Sequence, residues 1–361
     1  VGDKLARKVL ILGGLVVWSA VTGATAFCRR FWEFVIVRGT EGLGETFYFP
    51  ATMSLISDYH TKRTRSLAMG LHQTSVYAGT IGGTTLAGLL AEHYGWQSPF
   101  MVFGIAGVTL GIVLAIFLRE PSRNEAERLE LGALDEATAP PAVPILEFLL
   151  ELIRTPSALL LMLAFFGANS VALVFITWMP NYLTEEFGMS LAMAGFSATF
   201  YLQMASVLGS VVGGALADQA RKRFAGGRIL SQALGAILGI PFIYLSGSST
   251  DATRLVVFLT CFGFAKGIYD ANIWASMYDV VRPSRRATML GLANMIGWGG
   301  AAAATSAIGV ATTRFHVTMG HALASTAVIY AIVAVILILA GAVFAPRDIR
   351  HAEVPQLSTN P

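Results

Sequence analysis

Arg38, Glu41 and Glu45 stand in an otherwise apolar run that begins near Trp32 and continues past Pro50. At about 100° per residue, offsets of three and seven put all three on one side of a helix. A guanidinium is a fixed cation whose fork matches a carboxylate or a phosphate. A carboxylic acid removed from water holds its proton more tightly, and a guanidinium beside it loosens that hold. An anion competing for Arg38 would therefore change the proton affinity of Glu45, with Glu41 as a second candidate acid. Anion and proton could then enter together, each removing the other's electrostatic penalty. The plainer alternative is a static ion pair between Arg38 and either acid that only fixes helix packing.

A second charged pair, Lys266 and Asp270, lies four residues apart in another apolar run. That spacing lets the two neutralise each other on one helix face. Lys266 nonetheless adds a second intramembrane cation attractive to anions, and Asp270 is a further candidate for the coupling proton. Tyr269 and Trp274 stand beside the pair and serve equally well as core. His72, Gln73, Tyr77, Asn294 and Trp298 form a further polar and aromatic set that would line a pseudosymmetric substrate cavity, with Asn169 and Gln203 as weaker members. A membrane histidine can relay protons, and amides can hydrogen-bond between helices.

The elements that must position these groups are membrane helices. Hydrophobic residues make up 55% of the 361 and charged residues 13%, with a mean hydropathy of +0.63. Apolar segments long enough to span a bilayer fall at 9–27, 32–57, 66–90, 98–118, 157–180, 191–216, 229–246, 254–278, 287–310 and 322–345. With the start of the chain in the cytoplasm, most Lys and Arg fall on that side. The outer side receives only Arg29, Arg30, Arg254 and Arg314, while Arg38 and Lys266 stay within spans. Both ends are then cytoplasmic. The formal charge of +3 is a topology signal and does not point to nucleic acid. Cys28 and Cys261 make neither a disulfide framework nor a metal site.

A polar, proline-bearing stretch at 119–147 suits a cytoplasmic linker between two membrane halves. The halves echo each other. Arg65, Gly70, Leu71, Gln73, Tyr77 and Gly79 are matched by Arg286, Gly291, Leu292, Asn294, Trp298 and Gly300, each displaced by 221 (286 − 65). Asp3, Arg7 and Lys8 find a second echo near Asp218, Lys222 and Arg223 at a displacement of 215 (218 − 3). Two parallel repeats are an organisation found among secondary transporters. The expected division is an N-terminal four-helix bundle at 1–118, the linker, a C-terminal six-helix bundle at 148–346 and a cytoplasmic tail at 347–361.

The run Gly214-Ala-Leu-Ala-Asp218-Gln-Ala-Arg-Lys222-Arg223 resembles the loop signature of the major facilitator superfamily, and Gly2-Asp3-Lys-Leu-Ala-Arg7-Lys8 resembles the end of its first copy. The resemblance implies an all-α, two-bundle membrane fold. Because that loop joins the second and third helices of each half, the ten segments would be helices 3–12 of twelve, and the chain would begin partway through a larger protein. Arg38 and Glu45 preceding Phe49-Pro50-Ala51, together with Trp178-Met-Pro180-Asn-Tyr182-Leu183, resemble the anion:cation symporters of organic anions and sialate. The Arg-to-Glu spacing is also similar to Spinster-type lipid transporters. The symporter resemblance implies that Arg38 contacts an anionic substrate and that Glu45 carries the coupling proton. The superfamily resemblance adds inner-gate charges at Asp3, Arg7, Asp58, Arg65, Asp218 and Lys222.

No phosphate-cradling loop with Lys-Ser/Thr, zinc spacing or nucleophile elbow is present, so neither ATP drive nor an enzyme is indicated. The expectation is a monomeric, proton-coupled symporter of a small organic anion, working by rocking of the halves and using no cofactor or metal. Its setting would be the bacterial plasma membrane; sodium is the alternative coupling ion. A Spinster-like or drug-like transporter of amphiphiles is the first rival reading. A transporter-shaped anion sensor is the second.

Overall fold

The computed structural model describes residues 7–60, 62–121, 145–282 and 285–353. Asp3 and most of the expected linker fall outside them, as do the side chains of Glu41, Glu45, Arg65 and Gln73. The described residues are helical, with no strand among them. We number the helices α1 Arg7–Thr25, α2 Phe31–Tyr59, α3 Lys62–Tyr94, α4 Gln97–Phe117, α5 Ile145–Ile153, α6 Pro156–Phe187 and α7 Leu191–Arg221. There follow α8 Gly227–Gly247, α9 Ala252–Asp270, α10 Ile273–Val280, α11 Arg286–Arg314, α12 Met319–Ser325 and α13 Ala327–Leu339. A π-helical turn at Ala340–Phe344 leads into α14, Ala345–Glu353.

Each of the apolar segments read from the sequence falls on one of these helices or on a run of them. Among the described residues, seven helical stretches are both long and apolar enough to cross a membrane. Helices α2, α3 and α11 are 29, 33 and 29 residues long, beyond the ~20 that a bilayer requires, but are more polar along their length. In a membrane solvent every backbone group must be satisfied internally, which is why these runs are unbroken helices.

The chain divides into two compact units, Val1–Thr138 with Ser190–Met193, and Ala139–Met189 with Ala194–Pro361. In unit 1, α1 packs against both α2 and α4. Its buried apolar cluster is small: Ile11, Ala51 and Leu55, flanked by Leu10, Tyr48 and Leu118. Ile105, Ile112 and Ile116 on α4 are largely exposed, as suits a helix facing hydrocarbon. In unit 2 a large core runs through α6, α8, α9, α11 and α13, with Phe175, Phe262 and Tyr330 fully buried.

Two local features depart from the expected boundaries. The end of the expected linker is helical: α5 buries Phe148 and Leu152, while Glu147 and Glu151 accept hydrogen bonds from buried Arg285 at 2.7 and 3.1 Å. The start of the expected tail is helical too. Asp348 on α14 accepts from the backbone N–H (3.0 Å) and hydroxyl (2.6 Å) of Ser157, capping the first turn of α6. An acid held at a helix N-terminus is a long-range contact that no local pattern announces.

The repeat extends well beyond the echo visible in the sequence. Shifting α2 by 221 gives 252–280, the bounds of the continuous run Ala252–Val280 formed by α9 and α10. Shifting α1, α3 and α4 gives 228–246, 283–315 and 318–338, each within three residues of α8, α11 and the α12–α13 run. One displacement thus relates four consecutive helices in each unit.

Candidate functional site

In unit 1 the site candidates sit on α2. Glu45 is the middle residue of this 29-residue helix. Arg38 lies two turns nearer the Phe31 end, about 10 Å along the axis. Tyr48, Ala51, Leu55 and Asp58 mark the side of α2 that packs on α1. By helical geometry the Arg38–Glu45 stripe is roughly a third of a turn away from that side, with Glu41 between the two. Arg38 therefore avoids that interface. Arg38 is exposed in the structure, and its guanidinium carbon lies 5.9 Å from the centroid of the Phe100 ring on α4. Phe34, one turn earlier on α2, meets the same ring edge-on at 6.4 Å. The Arg38 side chain thus extends toward the Phe31 end of the helix, held over an aromatic face. An apolar groove of about 340 Å³ between α1 and α4, lined by Ser19, Gly23, Phe27, Met101, Gly104 and Ile105, offers no charge for an anion.

On α3, His72 and Tyr77 are half-buried. Gln73 and Tyr77 share a face by their i,i+4 spacing, whereas His72 points about a quarter of a turn aside. Adding 221 reproduces the shared face on α11 as Asn294, half-buried, and Trp298, 44% exposed. His72 corresponds instead to fully buried Ala293. Asn169 on α6 donates to the Gly297 carbonyl at 2.9 Å, so it ties α6 to α11.

Of the charges assigned to an inner gate, the structure describes the side chains of Arg7, Asp58, Asp218 and Lys222. Asp58 is bridged to Arg7 at 2.9 Å, and both side chains are more than nine-tenths buried. Glu120, which the sequence reading passed over, accepts from the backbone N–H groups of Arg7 and Lys8 at 3.0 and 2.6 Å, capping α1 from the far end of α4. Asp218 and Lys222 are both exposed at the end of α7, and among the described residues no ion pair joins them. The bridge at this end of unit 2 is Arg228–Asp279, at 2.6 Å. Arg228 and Asp279 stand 221 residues beyond Arg7 and Asp58, so the duplicated bridge follows the helix register. The loop signature runs at 215 because six extra residues precede α8. Applying the larger displacement to Arg7 and Asp58 would have found both residues.

In unit 2, Lys266 and Asp270 form the expected ion pair on α9, with side chains 12% and 26% exposed. Tyr269 and Phe262 on the same helix are buried in the core. Trp274 packs against Phe165 of α6 at 5.2 Å between ring centroids, a core role.

A family model described as Major Facilitator Superfamily matches residues 1–305 and, in a second alignment, 183–357. The chain belongs to the major facilitator superfamily. Two overlapping alignments of one model are what a chain of two related halves produces. The cis,cis-muconate transport protein of Acinetobacter baylyi is 26% identical over 88% of this chain and 75% of its own length. The probable galactarate/D-glucarate transporter GudP of Escherichia coli is 24% identical over 82% of this chain and 70% of its own. A crystal structure of a bacterial homolog of the human lysosomal transporter Spinster, inward-facing and occupied, superposes with a TM-score of 0.72 at 19% identity. It covers 96% of this chain and 84% of that one, and so shows a shared fold. This superfamily chain is thus an all-helical membrane transporter and not an enzyme.

Proposed function

We propose that this chain carries a small organic anion across a membrane by proton-coupled symport and alternating access. Arg38 takes the carboxylate of the substrate, and Glu45 carries the proton. The observation that bears most of this reading is Arg38, a permanent cation on a side of α2 that avoids the packed interface, two turns along the helix from the mid-helix position 45. The names of the relatives support an anionic cargo. Besides the muconate and galactarate/D-glucarate proteins, the hexuronate transporter of Bacillus subtilis is 25% identical over 77% of this chain. Occupation of Arg38 by a carboxylate removes the positive charge that loosens the proton on Glu45, so anion and proton load together. The setting is a bacterial plasma membrane, with both termini in the cytoplasm.

The test is uptake by the full-length transporter in liposomes, with cis,cis-muconate, D-glucarate and a hexuronate offered under an inward proton gradient. Gradient-dependent accumulation of one of them, electrically silent to sodium, is expected. Accumulation that follows sodium, or none of any carboxylate, counts against the reading.

A second reading has one specific observation behind it. The sphingosine-1-phosphate transporter SPNS2 of Xenopus tropicalis is 32% identical over 132 residues, 36% of this chain. Under that reading Arg38 would serve a phosphate on an amphiphile. Uptake stimulated by lipid phosphates and untouched by dicarboxylates would favour it.

A further inference from the structure

We infer that Lys266 and Asp270 form a second anion subsite, contained within unit 2, in which Asp270 is a resident stand-in that an incoming carboxylate displaces. The inference rests on the anion-transport reading and adds to it a site that α2 does not contain.

The repeat supplies the first argument. Glu45 is the middle residue of α2, and 221 residues on Lys266 is the middle residue of the matching run Ala252–Val280. The register is fixed at the helix ends by the two Arg–Asp bridges and within the helices by Gly42 and Gly263, and by Tyr48 and Tyr269. At the one mid-helix position where unit 1 holds an acid, unit 2 holds a base. The counterparts of Arg38 and Glu41 are Leu259 and Phe262, both fully buried and apolar. Unit 2 has therefore kept one charged position of the stripe, reversed its sign, and provided Asp270 one turn on as its counter-ion.

The second argument is energetic. A buried ion pair is a poor way to stabilise a fold, because apolar residues of similar size do as well or better. Lys266 and Asp270 lie inside a membrane helix, where that cost is highest. An internal acid held on the same helix keeps the lysine charged while leaving it exchangeable for an external one.

The experiment uses the full-length transporter in liposomes, with D-glucarate or cis,cis-muconate as the probe, whichever the wild type accumulates. The paired substitution Lys266→Gln with Asp270→Asn keeps shape and hydrogen bonding without charge. It should raise the KM by roughly tenfold or more, the loss expected from one charge-assisted contact. Asp270→Asn alone removes the competitor and, at a pH low enough to keep Lys266 charged, should lower the KM. Monodisperse elution of each variant establishes folding. An unchanged KM in the paired variant, or a KM raised equally by Asp270→Asn, would overturn the subsite. Failure of the wild type to accumulate any carboxylate would instead count against the anion-transport reading itself.

Discussion

Four helices of unit 1 and four of unit 2 are laid out in one register, and the comparison separates what the scaffold needs from what the cargo needs. The ends of the helices are conserved between the units: Arg7–Asp58 reappears as Arg228–Asp279. One turn in from those ends the units already differ: where unit 1 packs Ile11 against Leu55, unit 2 has Gln232 donating to the Ser276 hydroxyl at 3.0 Å. Where unit 1 has Glu45, unit 2 has Lys266. Charges at the helix ends hold two helices at a set angle and stay; groups at mid-depth face no such demand and have diverged.

The largest effects should come from the end bridges. Asp58→Asn leaves the buried Arg7 guanidinium, among the described residues, with Glu120 as its remaining carboxylate at 3.7 Å. We expect a loss of about 3 kcal/mol in thermal unfolding of the purified transporter, the low end for a broken buried pair. Asp279→Asn should cost less, because the side chains of Arg228 and Asp279 are 14% and 23% exposed against 9% and 5% for Arg7 and Asp58. Equal losses, or none, would break the claim that the bridges are a shared framework.

Next comes Arg38→Gln, which should depress carboxylate uptake by about 100-fold while leaving the melting temperature within a degree or two. A melting change comparable to that of Asp58→Asn would make Arg38 a packing residue. Smaller still are the core exchanges. Leu55→Ala should cost about 2 kcal/mol by opening a cavity. Ser276→Ala should cost about 1 kcal/mol by leaving the buried Gln232 amide without its acceptor. Uptake should survive both, and unfolding curves with parallel transport assays would show whether it does.

Much of this was legible in the sequence. Hydropathy alone located every long helix, because a bilayer span is a local property of about 20 residues. The Lys266–Asp270 pair was legible for the same reason, being one helical turn. Long-range pairings were not. Glu120 reaching back to cap α1, Asp348 capping α6 and Glu147 and Glu151 clamping Arg285 join residues more than 100 apart, without any local pattern. Asp218 and Lys222 enter the expected inner gate only through the superfamily resemblance; both are exposed at the end of α7, as solvated loop charges are. The echo between Arg65 and Arg286 already contained the displacement that identifies Arg228 and Asp279. It needed only to be applied to helix ends as well as to motifs.

The proton claim for Glu45 is tested most directly by Glu45→Gln in liposomes with an imposed pH gradient and a carboxylate that the wild type accumulates. A glutamine at this position should abolish accumulation against the gradient while carboxylate exchange across the membrane continues at a measurable rate. Gradient-driven accumulation that persists at the wild-type level would contradict the account.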